Sequence, residues 1–207
     1  IYENQVKHQL PQMASNNILL EPAMRNTAPC IAYANYKIAA INPNANIVVA
    51  PSDHIIIDEE EFTNNINTAL TAASQNEWLI TLGIIPTRPD TGYGYIQYND
   101  AIRDPNNQNM RKVKTFTEKP NLELAEKFLA SGDFLWNSGI FIWSLKTITK
   151  AFETYLDDIN DLFKEGIGLY NTEKEKSFIN DIYTSCRKIS IDYGIMEKAT
   201  NVYVLSA

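Results

Sequence analysis

The chain has 207 residues, of which 44% are hydrophobic and 21% charged, and its formal net charge at pH 7 is −7. That length allows one large domain or two small ones, with a sizeable core. The acidic balance argues against a nucleic-acid partner and against an anionic membrane surface, since both require a concentrated basic face.

Cysteine usage and hydropathy predict a cytoplasmic protein with no membrane partner. Cys30 and Cys186 lie too far apart in sequence for a metal knuckle or a redox pair, and free thiols suit a reducing compartment. No stretch approaches the ~18 apolar residues of a membrane span. The opening residues "IYENQVKHQL" also contain no apolar region of a signal peptide.

In the first half of the chain, strand-like and helix-like runs alternate, which predicts an α/β fold. "NILLEP" (17–22) predicts a short buried strand, and Thr27 is the predicted N-cap of the helix that follows. "IVVA" (47–50) has no polar face, as expected for a strand covered on both sides in a parallel sheet. Asp58 and the acidic residues 59–61 predict the solvated start of an amphipathic helix.

The second half continues the alternation. Predicted strands are "LITLGI" (79–84), "YIQY" and "VKTFTEK" with the loop "DAIRDPNNQNM" between them, "SGIFIWSL" (138–145) and "NVYVLS" near the end. One helix is capped by Asn121 and stopped by Gly132, and residues 146–201 are mostly helical. No repeat or linker divides the chain. We therefore expect one domain, residues 1–207, with a Rossmann-like mixed, mainly parallel sheet flanked by helices.

Asp53 is the first candidate site residue because it follows the strand 47–50 directly. Ligands of open α/β sheets bind outside the carboxyl ends of the strands. A carboxylate there can hold Mg²⁺, which neutralises charge on a transferring phosphoryl group. An Asx turn is the alternative interpretation. His54 is interpreted as a structural hydrogen-bonding residue, since no second His or Cys stands nearby to complete a soft-metal site.

Three further motifs place polar groups among turn formers and apolar residues. In "FTEKP", Glu118 and Lys119 point to opposite faces if the strand continues, so one suits hydroxyls and the other a phosphate; a surface turn is the alternative. In "FLWNSGIF", Asn137 needs partners that a sugar hydroxyl or a turn can supply. The glycines of "DTGYGY" allow a ligand to lie against bare backbone. No Walker A sequence or dinucleotide-binding fingerprint is present in the chain.

In their order and approximate spacing, these motifs resemble one family, the mannose-1-phosphate guanylyltransferases of the sugar-nucleotidyltransferase superfamily. The matching segments, between residues 18 and 199, are "ILLEPAMRNTAPCIAYA", "VVAPSDHII", "LGIIPTRPDTGYGYI", "VKTFTEKP", "FLWNSGIFIWS" and "SIDYGIMEKA". The resemblance implies transfer of GMP from GTP to mannose 1-phosphate with Mg²⁺ and release of pyrophosphate. Catalysis then consists of positioning and charge neutralisation.

The resemblance also implies roles for individual residues. Asp53 would hold Mg²⁺ between the nucleotide phosphate and the sugar phosphate, and Lys119 would bind the sugar phosphate; these two are the predicted catalytic residues. The predicted substrate-binding residues are Glu118 and Asn137 for the sugar, Gly94 through its backbone, and Asp192 near the sugar pocket. The loop that faces guanine corresponds to Arg25, Asn26 and Thr27.

Two features of the family have no counterpart in these 207 residues: a glycine-rich phosphate loop with its arginine and lysine, and a second metal-binding aspartate. We therefore expect a catalytic domain truncated at both ends and inactive by itself. The strand 47–50 would then lack a partner on one side, and an open apolar edge attracts other strands. A re-paired or dimeric arrangement is expected, consistent with a homo-oligomer.

Other functions remain open at this point. A thymidylyl- or uridylyltransferase acting on another hexose 1-phosphate is the nearest alternative, although "RNTAP" and "PSDH" favour guanylyl transfer. A nucleotide-sugar glycosyltransferase has the same layout but normally shows an Asp-x-Asp motif, which "PSDH" does not supply. A non-catalytic module that kept the fold is the third alternative.

Overall fold

A computed structural model describes residues 2–207 and shows a six-stranded mixed sheet with helices on both faces. The strands are β1 (Asn46–Val49), β2 (Leu79–Ile84), β3 (Tyr95–Asp104), β4 (Asn107–Thr117), β5 (Phe134–Ser144) and β6 (Val202–Ser206), in the spatial order β1-β5-β2-β6-β4-β3. The helices are α1 (Glu3–Gln9), α2 (Thr27–Ala39), α3 (Glu59–Gln75), α4 (Leu122–Ser131), α5 (Leu145–Tyr155), α6 (Asp157–Lys164) and α7 (Glu175–Tyr183). A 3₁₀ turn at Ser15–Asn17 and a π-helical turn at Asp192–Met196 complete the list.

The mixed α/β sheet flanked by helices confirms the predicted fold class, but its strands are not mainly parallel. β5 runs antiparallel to β1, β2 and β3, and β4 runs antiparallel to β3 and β6. Only β2 and β6 pair in parallel within the described chain. The expected parallel pairing was wrong because an apolar run indicates only that a strand is buried on both faces. A central antiparallel strand is buried in the same way.

β1 is an edge strand of this sheet. Among residues 2–207 it pairs with β5 alone, in register from Asn46 with Ser144 to Val49 with Phe141. Ile47 is buried, whereas Val48 on the other face is 38% exposed. The open edge predicted for this strand is thus confirmed, while the predicted cover on both faces is not.

Two other predicted strands differ in the structure. Residues 17–22 form no strand; Ile18 and Leu19 are half-buried and Leu20 is exposed, because no neighbouring strand of the described chain pairs with this run. β3 and β4 extend through most of the predicted loop and leave only a turn at residues 105–106. The hairpin contacts compensate for the low strand propensity of Asp and Asn there.

The predicted helix ends are mostly confirmed, because capping depends on local groups. Asp58 accepts a hydrogen bond from the amide of Glu61 at 2.9 Å, and Asn121 accepts one from Leu124 at 2.9 Å. Gly132 ends α4 in the left-handed conformation with φ 77°. Asn26, rather than Thr27, is the N-cap of α2.

Alternate residues of the central strands face two different apolar cores. Leu79 and Trp143 belong to the large core beneath α2, α5, α6 and α7, whereas Ile80 and Ile142 pack against α3 on the opposite face. None of the helices within residues 2–207 has both the length and the apolar character needed to cross a bilayer. Packing on both faces holds β2 and β5 in place between the two cores, and so positions the site residues that these strands carry.

Gly83 in β2 offers a direct test of this packing. A Cβ at this position would lie 2.6 Å from Cγ2 of Val204 and 2.7 Å from Cδ1 of Leu135. We expect Gly83→Ala to lower the free energy of unfolding by about 1–3 kcal/mol, because overpacking a fitted core forces neighbours to shift. Urea denaturation measures it, with exposed Ser74→Ala as the control. Equal stability of Gly83→Ala and the unaltered protein would contradict the packing described.

Candidate active site

A cleft of about 700 Å³ opens at the edge of the sheet where β1, β2 and β4 end. The residues predicted from sequence that line it are Asp53, Gly94, Glu118, Asn137 and Asp192. They come from the turn after β1, the approach to β3, the end of β4, the middle of β5 and the π-helical turn. The topology therefore brings together groups that lie up to 139 positions apart in the numbering, from Asp53 to Asp192.

Asn137 connects the surrounding elements. Its backbone amide donates to the carbonyl of Gly94 at 2.8 Å, and its side-chain amide donates to Oδ1 of Asp192 at 2.9 Å. Its Oδ1 accepts from the amide of Gly139 at 3.0 Å and from the hydroxyl of Thr81 at 3.3 Å. Gly139 adopts φ 71°, and the register of β2 against β5 shifts between Thr81 and Gly83. This irregularity turns a polar side chain out of an otherwise apolar strand.

Glu118 packs against Gly94, which leaves room for its carboxylate. A Cβ on residue 94 would collide with the Glu118 carboxylate. Burial and the nearby negative charge of Asp192 raise the pKa of Glu118, although Asn137 and Lys119 partly offset the effect. Burial also raises the pKa of Asp192, against hydrogen bonds from its own backbone amide and from Asn137. The cleft thus holds two carboxyl groups whose charged forms are disfavoured.

An aromatic wall that was not predicted lies beside these carboxyl groups. Trp136 is buried and its ring is tilted against that of the exposed Tyr93, with 5.1 Å between centroids. The Arg88 guanidinium lies 5.2 Å from the Trp136 ring and pairs with Asp90 at 2.7 Å. Tyr93 stands between the two glycines of "DTGYGY" and Trp136 precedes Asn137, so both motifs contained the signal.

Lys119 lies in an adjoining pocket of about 260 Å³ that shares Glu118 and Asp192 with the cleft. The strand ends at Thr117, and Lys119 adopts a left-handed φ of 45°. Glu118 and Lys119 were predicted to point to opposite faces if the strand continued through them. The strand does not continue, and both residues line one pocket. Asn26 and Thr27 line it as well.

The start of α2 in this pocket has few free donors for an anion. The amide of Thr27 donates to Oδ1 of its N-cap Asn26 at 2.8 Å, the amide of Ala28 donates to the carbonyl of Ile189 at 3.2 Å, and Pro29 has no N–H. The Lys119 ammonium is thus the main positive group that the pocket offers a phosphate.

The remaining predicted residues stand apart or are exposed. Arg25 lines neither space; its guanidinium donates to the carbonyl of Thr184. Asp53 and His54 are exposed on the cleft wall. Within residues 2–207 His54 has no hydrogen bond from or to its side chain, so the structural role expected for it is not observed.

The acidic groups of the cleft set what kind of metal site it can provide. Residues 2–207 contain no group of three or more His, Cys, Asp or Glu that could enclose a metal ion. Mg²⁺, however, is usually held by one or two carboxylates together with water and substrate phosphates. The single exposed carboxylate of Asp53 on the cleft wall fits that mode of binding.

Comparisons with known proteins agree with this geometry. The family model described as "Nucleotidyl transferase" matches residues 2–182. Two curated proteins named mannose-1-phosphate guanylyltransferase are each 36% identical: one from Escherichia coli, covering 91% of this chain and 41% of that protein, and one from Salmonella montevideo, covering 97% and 43%. The chain thus spans about two-fifths of the length of these relatives.

Solved structures show the same fold. A crystal structure from Thermus thermophilus, named mannose-1-phosphate geranyltransferase, superimposes with a TM-score of 0.83 at 29% identity, covering 98% of this chain and 56% of that one. A structure from Helicobacter pylori named mannose-6-phosphate isomerase has a TM-score of 0.75 at 24% identity, covering 99% and 78%, and supports the fold alone.

The raised pKa of Asp192 predicts a pH dependence of stability. An acid with a raised folded-state pKa binds more protons in the folded than in the unfolded protein, so its contribution to stability declines as pH rises above the unfolded pKa. Asp192→Asn removes this group and can still accept the hydrogen bond from Asn137. We therefore expect the variant to become more stable relative to the unaltered protein as the pH rises from about 4 to about 7, measured as the difference between their free energies of unfolding. Denaturation at several pH values measures it, and parallel pH profiles would contradict the assignment.

Proposed function

Since the chain belongs to the nucleotidyl transferase family, we propose that the protein transfers GMP from GTP to α-D-mannose 1-phosphate, giving GDP-mannose and pyrophosphate, with Mg²⁺. A phosphate oxygen of the sugar phosphate attacks the α-phosphorus, and the bond to the β-phosphate oxygen breaks. Relatives that are 34–36% identical and named mannose-1-phosphate guanylyltransferase support the choice of substrates. The proposal concerns the whole protein, because the chain spans about two-fifths of those relatives.

The observation that carries the proposal is the shared cleft of Asp53, Glu118, Asn137 and Asp192. A sugar offers hydroxyl groups that both donate and accept. The carboxylates of Glu118 and Asp192 are acceptors for them, and the side-chain amide of Asn137 holds both carboxyl groups beside the cleft. The exposed ring of Tyr93 provides an apolar surface for a sugar face.

The phosphate of the sugar would lie toward Lys119. The pocket that contains this ammonium group shares Glu118 and Asp192 with the cleft, so a sugar held by these carboxyl groups can extend its phosphate into it. Ser190 adds a hydroxyl group there. Holding the attacking phosphate in place supplies much of the catalysis in a reaction that needs no covalent intermediate.

Asp53 would hold the magnesium ion. When bound, Mg²⁺ supplies positive charge that offsets the charge of the phosphates. Asp53 contributes an exposed carboxylate about which substrate oxygens and water can complete the coordination. Arg25, Asn26 and Thr27 are proposed for the guanine side; Asn26 and Thr27 reach the lysine pocket, and Arg25 would act by holding the loop to Thr184.

We also propose a cytoplasmic homo-oligomer. The outer edge of β1 is unpaired within residues 2–207, and Ile55 and Ile57, a few residues further along the chain, are 89% and 95% exposed. Open strand edges and exposed apolar side chains promote association between copies. The two free cysteines suit a reducing compartment.

Sedimentation velocity tests the proposed association. We expect the unaltered protein to sediment as an oligomer and Val48→Lys to shift it toward monomer, because a charge on the exposed face of an edge strand disfavours pairing. Thr115→Lys, at an exposed position of β4, is the matched control and should leave the oligomer unchanged. A monomer in every sample would contradict the proposal.

Asp53→Asn tests the proposed reaction. In the whole protein the substitution keeps the shape but removes the anionic metal ligand, so formation of GDP-mannose should fall by about a hundredfold or more. Folding should be unchanged because Asp53 is exposed. Asp58→Asn is the matched control, since asparagine caps a helix as well as aspartate does.

The same assay with TTP and UTP and with other hexose 1-phosphates separates the proposed activity from thymidylyl or uridylyl transfer. We expect GTP and mannose 1-phosphate to give the highest kcat/KM. Turnover of Asp53→Asn within a few-fold of the unaltered protein would rule out the metal role, and preference for another nucleotide would rule out guanylyl transfer.

A further inference from the structure

A second groove, of about 540 Å³, lies between α3 and the turn that joins β3 to β4. It shares no lining residue with the cleft or with the lysine pocket. One wall contains Asn64, Asn67, Thr71 and Gln75, and the other contains Asp104 and Asn106. Neither the resemblance nor the proposed reaction assigns any role to these residues.

The helical wall is polar but uncharged. Asn64, Asn67, Thr71 and Gln75 are spaced three or four positions apart, so they share one face of α3. All four are exposed, and the hydroxyl of Thr71 donates to the carbonyl of Asn67 at 2.8 Å. The wall thus offers side-chain amides and hydroxyls that can both donate and accept hydrogen bonds.

Asp104 on the opposite wall is only 5% exposed, yet its carboxylate is incompletely paired. Oδ1 accepts from the amide of Asn106 at 2.9 Å, and no other hydrogen bond or ion pair to this carboxylate occurs within residues 2–207. The turn needs only one acceptor oxygen, which an asparagine could supply equally well, so the second oxygen of Asp104 is not required for the turn. Within residues 2–207 this second oxygen is not one of the buried polar atoms that lack a hydrogen bond, so it is open to solvent and can accept a hydrogen bond from a ligand in the groove.

We propose that this groove binds a neutral carbohydrate. Adjacent hydroxyls of one ring can donate to the spare oxygen of Asp104 and exchange hydrogen bonds with neighbouring helix residues such as Asn67 and Thr71. Asn64 and Gln75 lie about 16 Å apart along the helix, so reaching both requires a second ring. No Lys or Arg lines the groove, which excludes a phosphorylated or otherwise anionic ligand. One carboxylate is too few for a dedicated site for Ca²⁺. The volume lies within the range of about 300–1,000 Å³ typical of small-molecule sites.

The proposal does not depend on the guanylyltransferase reaction, and binding alone tests it. Saturation-transfer NMR and calorimetry with maltose should show saturable binding in the millimolar range to the unaltered protein. Asp104→Asn retains the turn acceptor but loses the anionic oxygen, so affinity should fall about tenfold or more. Circular dichroism checks that this variant is folded.

One pair of variants locates the binding. Asn67→Ala, in the groove, should weaken binding, whereas Asn65→Ala on the same helix lies outside the groove and should not. These surface variants test binding in the groove even if Asp104→Asn fails to fold.

Three outcomes would overturn the proposal. They are an absence of saturable maltose binding, an equal loss of affinity in Asn67→Ala and Asn65→Ala, and full affinity in Asn67→Ala.

Discussion

The hydrogen bonds of Asn137 hold the site together. One side chain in the middle of β5 bonds to β2 through Thr81 and to the π-helical turn through Asp192, while its own backbone amide bonds to Gly94 at the approach to β3. These elements are far apart in sequence and meet only because β5 lies between β1 and β2 and also pairs with β3. A partly buried polar network of this kind stabilises one arrangement, since each partner lost leaves an unsatisfied group.

The electrostatics of the cleft follow from this arrangement. Asn137 draws Asp192 toward the cleft, and the lack of a side chain at Gly94 lets the Glu118 carboxylate approach the same space. Burial and mutual repulsion then raise the pKa of Glu118. Partly desolvated carboxyl groups are strong acceptors for hydroxyls, whereas Lys119 in the adjoining pocket serves the anionic part of a ligand. The net charge of the protein is −7, so its overall field does not attract an anionic ligand. Binding of such a ligand therefore depends on the local placement of Lys119 away from the cleft carboxyl groups.

Much of the fold could be predicted from single segments. The bounds of β2 agree with the apolar run "LITLGI", and the caps of α3 and α4 agree with Asp58 and Asn121. The motifs also indicated which side chains to expect at the site, and the structure places Asp53, Gly94, Glu118, Asn137 and Asp192 around one cleft. Their roles in binding and catalysis remain predictions. Residues 17–22 show the limit, because a strand-like sequence forms a strand only where another strand can pair with it.

By itself, the sequence determined the properties that depend on neighbours along the chain: helix starts and ends, apolar runs, and the residue types of each motif. The direction of β5, the edge position of β1, the aromatic wall of Tyr93 and Trp136, and the left-handed turn at Lys119 were decided only by the tertiary structure. Local signals arise from hydrogen bonds within a few residues, and they survive in any context. Strand order and site geometry arise from contacts between distant segments, whose balance of burial and pairing no single segment contains.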